Sequence, residues 1–241
     1  MEEIRYLIKD ELEIIQDNRF FKFGTDSVLL ADFVKLRTGN RVLDLGTGSG
    51  VIPLLLAYKN EGVKVTGVEI QKSLADLAER NVEHNNLEQK IEIINHDLCS
   101  LEDITAAGSF DVVVSNPPYL PLNEGQITDN KYLAAARHEI HAEIEDVIRA
   151  AAYVLKFGGL FYIVYRAERL TEVIEKLSEY NFQAKELRLV QSRLYKEADI
   201  FLLKAKKGAN SGLRIKPVLV IYKGQSNEYT AEVKEIYGED N

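Results

Sequence analysis

The chain has 241 residues, of which 46% are hydrophobic and 28% charged, a composition typical of a globular protein with room for one large α/β domain. Its net charge of −8 argues against indiscriminate nucleic-acid binding, and its single cysteine, Cys99, excludes an intrachain disulfide and a cysteine-rich zinc site. No apolar run approaches the roughly 20 residues of a membrane-spanning helix, and the charged N-terminus lacks a signal peptide's apolar segment, so we expect a cytoplasmic protein.

From residue 40 onward, short runs rich in β-branched residues alternate with longer segments of helical periodicity. Strands are predicted at 41–46, 63–70, 90–95, 110–116, 160–165, 182–191 and 199–207, and helices at 51–58, 73–86, 133–156 and 167–179. Strands separated by helices require crossover connections, which predict an α/β fold with a mostly parallel sheet. The last two strands have no helix between them, so we expect an antiparallel hairpin at one edge.

The sequence divides into three predicted segments. Residues 1–40 are expected to form a helical and hairpin appendage on the ligand site, residues 41–207 the sheet domain, and residues 208–241 a basic extension that frays after residue 225. Positive charge is concentrated in residues 185–223, which hold ten Lys/Arg against three acidic residues, a net +7 on a remainder of −15. This pattern suits a localised contact with a polyanion, although ordinary exposed charges on strands and loops would produce it too.

The first predicted strand ends in the turn DLGTGSG, in which Asp44 is followed by Gly46, Gly48 and Gly50. Glycines at the carboxyl end of a strand let the backbone turn sharply and approach a ligand closely. The spacing matches neither the dinucleotide fingerprint G-x-G-x-x-G, because Val51 follows the last glycine, nor a P-loop. An acidic residue at the start of the turn disfavours a pyrophosphate and favours a cation. We therefore predict a site for S-adenosylmethionine, which carries an ammonium and a sulfonium group and no phosphate.

Two further acidic residues follow the next two strands. Glu69 ends the second strand, where a carboxylate can accept hydrogen bonds from both hydroxyls of a ribose. Asp97 follows the third strand, where it can accept a hydrogen bond from an adenine amino group. Either residue alone could be an ordinary exposed residue at a strand end. Acidic residues after three successive strands, beside a glycine turn, indicate one adenosine-containing ligand.

The fourth strand ends in the corner Asn116-Pro117-Pro118-Tyr119, beside the expected position of the donor's methyl group. The stiff prolines fix this corner. The side-chain carbonyl of Asn116 and the backbone carbonyl of Pro117 can then accept hydrogen bonds from both N–H groups of a planar amine. These contacts would turn the nitrogen lone pair toward the methyl group without a general base. Tyr119 offers a face on which a base can stack, worth about 1–3 kcal/mol. Without the glycine turn, the same corner would be only a proline-stiffened turn.

The four histidines include an H-x-x-H pair, His138 and His141, which would lie on one side of a helix. No cysteine or clear third ligand accompanies the pair, so we interpret it as helix surface and predict no metal site. The sequence does not determine the oligomeric state, for which a monomer is the working expectation.

These motifs resemble those of class I methyltransferases that modify planar amino nitrogens, and in particular the bacterial tRNA1(Val) (adenine-N6)-methyltransferases. The resemblance covers most of the chain, through FGTDSVLLADF (23–33), DLGTGSG, VEIQ (68–71), NPPY, ARHEI (136–140), YRAERL (165–170) and GLRIKPVLVIY (212–222). It implies a Rossmann-like fold with a mostly parallel, seven-stranded sheet. Tyr165 departs from the pattern, since many relatives are expected to have histidine there.

The resemblance also implies an activity and further site residues. The expected reaction transfers a methyl group from S-adenosylmethionine to the N6 amine of an adenine in RNA, in the anticodon loop of a valine tRNA. Thr25, Asp26 and Ile70 would join the cofactor site, and Pro118 would contact the substrate. Basic residues of the last strands and the following segment would contact the RNA: Lys204, Lys206, Lys207 and Arg214.

Other substrates are also compatible with the NPPY corner. Release-factor glutamine N5-methyltransferases share it, but they carry a helical substrate domain before the first strand, for which the 40 residues here are too few. Some ribosomal RNA guanine-N2 methyltransferases have a related corner. DNA adenine methyltransferases usually need a separate target-recognition region, for which this chain has no room. An anticodon loop is favoured, because an adenine leaves its stack most easily where the strand is already single.

Overall fold

The structure is a computed structural model that describes residues 1–20, 24–118 and 142–239. The chain begins with an antiparallel hairpin of β1 (Glu2–Ile8) and β2 (Leu12–Asp17), which is followed by helix α1 (Thr25–Phe33). The predicted hairpin and helix of the first segment are therefore present. Apolar side chains of the hairpin are almost fully buried against the rest of the molecule: Leu7, Leu12 and Ile14.

The seven predicted strands form a contiguous part of the central sheet. They are β3 (Arg41–Leu45), β4 (Lys64–Glu69), β5 (Ile91–Asn95), β6 (Phe110–Ser115), β7 (Leu155–Arg166), β8 (Phe182–Arg193) and β9 (Ile200–Lys207). Their spatial order is β8-β9-β7-β6-β3-β4-β5, and all neighbours are parallel except β9, which is antiparallel to both β7 and β8. The carboxyl ends of β3, β4 and β6 consequently lie side by side, where open α/β sheets bind ligands.

Helices cover both faces of this sheet. They are α2 (Val51–Lys59), α3 (Lys72–His84), α4 (Ile144–Val154) and α5 (Leu170–Glu179), with short 3-10 turns at Leu98–Asp103 and Ala167–Arg169. Successive strand residues point to opposite faces. Val112 and Val114 therefore share a core with α1 and α2, whereas Val113 packs with α4. The part of the helix predicted over 133–156 that precedes residue 142 lies outside the described residues.

The C-terminal segment extends the sheet past the predicted edge. Short strands β10 (Arg214–Ile215) and β11 (Leu219–Tyr222) both pair in parallel with β8, which brings the described strands of this sheet to nine. Helix α6 (Ala231–Ile236) then buries Val233 and Ile236 in the core that contains α1 and α2. The expectation that the chain frays after residue 225 is wrong for the residues up to the end of α6, because these two apolar side chains anchor the helix in the core.

Three stacked tyrosine rings tie the C-terminal segment together. The ring of Tyr222 lies 5.6 Å from that of Tyr229, which lies 5.3 Å from that of Tyr237, with interplanar angles of 17° and 8°. At one end of this tyrosine stack, the guanidinium of Arg193 lies 5.3 Å from the centre of the Tyr222 ring. At the other end, the backbone carbonyl of Tyr237 accepts a hydrogen bond from the N–H of Lys9 in the β1–β2 turn. The first and last segments of the chain are thus joined.

Side chains from all three predicted segments meet in one hydrophobic cluster, which includes Leu12, Leu54 and Ile221. The division at residues 40 and 207 stays a prediction. The last segment, residues 208–241, is basic only as far as Lys223, because its four Lys/Arg are outnumbered by five acidic residues, all of which lie beyond that position.

Candidate active site

The glycine-rich turn between β3 and α2 borders an open space at the carboxyl edge of the sheet. Gly46 and Gly48 have φ angles of 73° and 58°, in the left-handed region that favours glycine. The N–H groups of Gly46 and Thr47 donate to the carbonyl of Val68 on β4, at 2.9 and 3.0 Å. A Cβ added to Gly46 or Gly48 would meet no atom within 4 Å. The backbone of the turn is therefore fixed by β4 and remains accessible to a ligand.

Asp44, near the end of β3, is a buried carboxyl group without a partner. Its side chain is fully buried, and neither oxygen has a hydrogen-bond partner among the described residues. Burial raises the pKa of Asp44 to about 7, opposed by the nearby Thr47 hydroxyl and assisted by the Glu69 carboxylate. The Thr47 hydroxyl is itself buried without a hydrogen-bond partner at normal distance. Buried polar groups are usually paired, so these side chains mark a place where a polar or cationic ligand can bind.

Glu69, the last residue of β4, fixes the opposite side of the turn. Its Oε2 accepts a hydrogen bond from the N–H of Gly48 at 2.9 Å, and its Oε1 accepts one from the N–H of Gln71 at 3.0 Å. Burial raises the pKa of Glu69, although these backbone donors oppose the rise. Each oxygen retains a second lone pair, so the carboxylate can also accept hydrogen bonds from two neighbouring hydroxyls. This orientation is compatible with the predicted contact to a ribose.

Ile70 and Asp97 lie at the ends of β4 and β5. Ile70 is 42% exposed beside the buried Glu69. The side-chain amide of Asn95 donates to the carbonyls of Glu69 and Ile70, at 2.8 and 2.9 Å, which holds the end of β4 in place. Asp97 uses one oxygen to accept a hydrogen bond from the N–H of Cys99 at 2.8 Å. The exposed apolar side chain on this fixed strand end offers a surface for a flat ring.

Asn116 directly follows β6, and its side chain is oriented by α1. The side-chain nitrogen of Asn116 donates to the hydroxyl oxygen of Ser27 at 2.9 Å. This contact turns Nδ2 toward α1 and Oδ1 away from Ser27. The hydroxyl of Ser115 donates to the carbonyl of Leu45 at 2.8 Å, which fixes the end of β6 against the end of β3. The side-chain carbonyl of Asn116 is thus held at the strand end next to the glycine turn.

The contact between Ser27 and Asn116 also brings the start of α1 to this edge. Thr25 and Asp26 are the first two residues of α1, and the preceding Gly24, at the N-cap position, provides no side-chain cap. Pro117 is buried and Pro118 exposed. Tyr119, a predicted contributor to the site, lies outside the described residues, in 119–141. The histidine pair predicted to be helix surface, His138 and His141, lies there too.

The described side chains fit S-adenosylmethionine. Asp44 and Thr47 present buried polar atoms that lack hydrogen-bond partners, and Glu69 presents acceptors for hydroxyls. Ile70 supplies an exposed apolar face, and the open glycine turn admits a ligand close to the backbone. A dinucleotide fits less well, because two buried carboxylates would repel its phosphates.

Comparison with known proteins decides the assignment. Residues 20–190 match the family model of the methyltransferase small domain. The chain belongs to this family. A curated relative, the tRNA1(Val) (adenine(37)-N6)-methyltransferase of Bacteroides thetaiotaomicron, is 30% identical over 175 residues, which cover 72% of this chain and 72% of the relative. The predicted resemblance is confirmed, and the protein is an S-adenosylmethionine-dependent methyltransferase.

Solved structures share the architecture of this methyltransferase. A structure from Agrobacterium tumefaciens, described as a predicted O-methyltransferase, aligns with a TM-score of 0.73 and 25% identity over 89% of this chain and 96% of its own. A 16S rRNA N2 methyltransferase from T. Thermophilus, in complex with AdoMet and guanosine, aligns with a TM-score of 0.58 and 24% identity over 86% of this chain and 50% of its own. The class I methyltransferase fold predicted from the sequence is confirmed.

The lysines that were predicted to contact RNA do not lie level with Asn116 in the sheet. In the register of β6, β7 and β9, Leu202 is level with Asn116. Lys204 and Lys206 are displaced by two and four residues toward the amino edge of the sheet, roughly 7 and 13 Å at 3.3 Å per residue. Arg214 lies in the same row as Lys204, on the far side of β8.

Three of these four cations have partners within the protein. Lys204 and Arg214 both form ion pairs with Glu186, at 3.1 and 2.8 Å. The ammonium of Lys207 donates to the carbonyls of Ala152 and Leu155 at the end of α4. Contact between these residues and RNA stays a prediction.

Asn81 is a residue of the site that the sequence interpretation missed. It is fully buried on α3 and accepts a hydrogen bond from the N–H of Ile15 at 2.7 Å. Its amide donates to the carbonyls of Ile15 and Ser49, at 3.2 and 3.0 Å. Asn81 thereby joins the N-terminal hairpin to the glycine turn. The available signal was an asparagine on the apolar side of a predicted helix.

None of the described helices is long and apolar enough to cross a bilayer. Within residues 1–20, 24–118 and 142–239, no three His, Cys, Asp or Glu side chains are grouped closely enough to hold a metal ion.

Proposed function

We propose that this methyltransferase modifies the exocyclic N6 amine of an adenine in the anticodon loop of a valine tRNA, in the cytoplasm. The observation that carries the proposal is the oriented amide of Asn116, whose nitrogen is held by Ser27 at 2.9 Å at the end of β6. The substrate is supported by the relatives, which are named tRNA1(Val) (adenine(37)-N6)-methyltransferases.

Asn116 and Pro117 act as hydrogen-bond acceptors in this proposal. An adenine amine is a weak nucleophile, because its lone pair is delocalised into the ring. Oδ1 of Asn116 and the backbone carbonyl of Pro117 accept hydrogen bonds from its two N–H groups. These contacts favour a pyramidal nitrogen with an available lone pair. S-adenosylmethionine, when bound, would supply an electrophilic methyl group; its sulfur–methyl bond would break to leave the neutral thioether S-adenosylhomocysteine, and the amine would release one proton to water. Positioning and preorganised acceptors then carry the rate.

The same chemistry favours an amine over a hydroxyl as the acceptor of the methyl group. A hydroxyl needs a base to remove its proton, and neither the amide of Asn116 nor a proline can serve as one. An amine with two N–H donors matches the two fixed carbonyl acceptors.

The remaining predicted contacts are assigned roles in this scheme. Residues 1–40 support the cofactor site, and Pro118 and Tyr119 contact the flipped base. The cofactor is held by residues at the ends of β3, β4 and β5, at the start of α1 and at Asn116: Thr25, Asp26, Asp44, Gly46, Gly48, Gly50, Glu69, Ile70, Asp97 and Asn116.

Methylation of unmodified valine tRNA tests the proposal. The wild-type protein, incubated with methyl-labelled cofactor, should produce N6-methyladenine in digested tRNA. Asn116→Ala should abolish product while retaining cofactor affinity within a few fold, because the acceptor is lost and the glycine turn is intact. Asn60→Ala is the matched control, since Asn60 caps the end of α2 by donating to the carbonyl of Leu56.

Other products would redirect the assignment. Label on release factor and none on tRNA would indicate a glutamine methyltransferase, and N2-methylguanine in ribosomal RNA would indicate a guanine methyltransferase. Full activity of Asn116→Ala on tRNA would refute the acceptor role while leaving the substrate unchanged.

A further inference from the structure

The turn between β8 and β9 projects beyond the sheet on the same side as Asn116. Val190 of β8 pairs with Ile200, the first residue of β9, and β8 continues to Arg193. Because β8 is parallel to β6 and β7, this continuation extends past their carboxyl ends. Tyr222, the last residue of β11, pairs with Arg193, so the loop that follows β11 reaches the same level. We call this projecting surface, residues 193–199 and 222–227, the rim.

The rim presents an aromatic side chain that the fold does not use. Tyr195 is 94% exposed, and the neighbouring Leu194 is 57% exposed. The backbone of Tyr195 has a φ of 67°, in the left-handed region that bulky residues rarely adopt. A strained conformation that holds a ring out in solvent is typical of a functional position.

Two lysines of the rim are available to an anion. Lys196 and Lys223 are exposed, and neither has an ion pair or side-chain hydrogen bond among the described residues. Two carboxylates share the turn: Glu197, and Asp199, which accepts a hydrogen bond from the N–H of Ser192 at 2.8 Å. The charge of Glu228 acts on Lys223 from the other loop.

Arg193 gives the rim a fixed shape. Its guanidinium donates to the carbonyls of Gly224, at 3.0 Å, and Ser226, and to the side chain of Asn227 at 3.0 Å, while it packs on the Tyr222 ring. The two loops of the rim are therefore held together. Preorganised surfaces bind with less loss of conformational entropy.

The rim is within reach of a substrate whose base lies at Asn116. The turn joins the second and third strands from β6, so it lies roughly 12 Å across the sheet at 4.8 Å per strand. A few nucleotides of single-stranded RNA span that distance. Exposed aromatic rings interleaved with cations are the arrangement that holds single-stranded nucleic acid.

We propose that the rim is the RNA-binding surface, with Tyr195 stacking on a base near the target adenine and Lys196 and Lys223 contacting phosphates. This inference rests on the proposed function. It keeps RNA contact within the basic segment 185–223. The contacting cations are those at the carboxyl edge of the sheet, in place of Lys206 and Arg214, which are displaced toward the amino edge.

Binding of unmodified valine tRNA to the full-length protein, measured over a range of salt concentrations, tests the assignment. Tyr195→Ala should weaken tRNA affinity roughly 5- to 140-fold through the lost stacking. The double variant Lys196→Ala/Lys223→Ala should reduce the slope of log affinity against log salt by about 1.5. Both should leave the affinity for S-adenosylhomocysteine unchanged, since neither change touches the cofactor site.

Matched variants separate the rim from the amino edge. Tyr153→Ala, at the amino edge on α4, is the control for the aromatic change, and it should bind tRNA as the wild type does. Lys206→Ala/Arg214→Ala should also bind normally. Loss of affinity in that double variant with normal binding by the rim variants would overturn the proposal.

Two further outcomes distinguish this inference from the proposed function. If the wild type makes N6-methyladenine in tRNA and the rim variants bind normally, only the rim assignment fails. If the wild type methylates release factor and not tRNA, the proposed function fails, and the rim assignment fails with it.

Discussion

Replacement of Ser27 by alanine removes the acceptor that holds the side-chain nitrogen of Asn116 at 2.9 Å. The net worth of such a hydrogen bond is about 0.5–1.5 kcal/mol. Without it, the amide loses one of the contacts that orient it, and its oxygen is held less firmly toward the substrate amine. Because about 1.4 kcal/mol corresponds to a factor of ten, turnover of Ser27→Ala should fall roughly 2- to 12-fold. Cofactor affinity should stay within twofold, since the hydrogen bond of the Ser27 side chain goes to Asn116 and not to the glycine turn.

The assay is steady-state methylation of tRNA with a parallel measurement of cofactor binding by calorimetry. Ser27→Thr retains the hydroxyl oxygen and should restore most of the turnover. Ser178→Ala is the control, because Ser178 donates to the carbonyl of Ile174 on α5, away from the site. Unchanged turnover in Ser27→Ala would refute the positioning role. An equal loss of turnover and cofactor affinity would show that α1 had moved as a whole.

Three other predictions concern the cofactor site. Burial raises the pKa of Asp44 to about 7, so cofactor affinity should weaken as the pH falls through that value and Asp44 gains a proton. Calorimetry on Asp44→Asn should show weak, pH-independent binding. Glu69→Gln keeps the shape of the side chain but loses the negative charge that strengthens hydrogen bonds from hydroxyl groups. It should weaken S-adenosylhomocysteine binding about 10- to 100-fold. Binding within twofold of wild type would contradict the role of Glu69 as the ribose acceptor. Asn81→Ala removes the hydrogen-bond partner of backbone groups of Ile15 and Ser49, so the free energy of unfolding in urea should drop by about 2–4 kcal/mol. A drop below about 0.5 kcal/mol would be inconsistent with this bridging role of Asn81.

Most of the sheet could be predicted because its central strands are short apolar runs separated by helices. The strand VVVS before Asn116 is buried on both faces, so its sequence shows a continuous apolar pattern. The strands of the C-terminal segment were missed for a different reason. β11 contains only the four residues LVIY, and its pairing of Leu219 with Val190 joins positions that no local periodicity connects.

The chemistry of the site was predictable where topology alone determines it. Asp44, Glu69 and Asn116 lie in or next to the last residues of parallel strands, whose carboxyl ends must meet at one edge. The hydrogen bond between Ser27 and Asn116 spans 89 residues and depends on where α1 packs, which one sequence does not reveal. Net charge likewise does not show which edge of the sheet a lysine occupies. Lys206 lies at the amino edge because β9 runs antiparallel to its neighbours.

The tyrosine stack gives this enzyme a built-in optical reporter. The chain has 12 tyrosines and no tryptophan, so its ultraviolet emission comes from tyrosine alone. Burial raises the pKa of Tyr237, and the neighbouring Tyr229 adds to the rise. The other end of the stack touches Arg193 of the rim. Stacked phenol rings couple their electronic transitions, so near-ultraviolet circular dichroism can follow RNA docking at the rim without an attached dye.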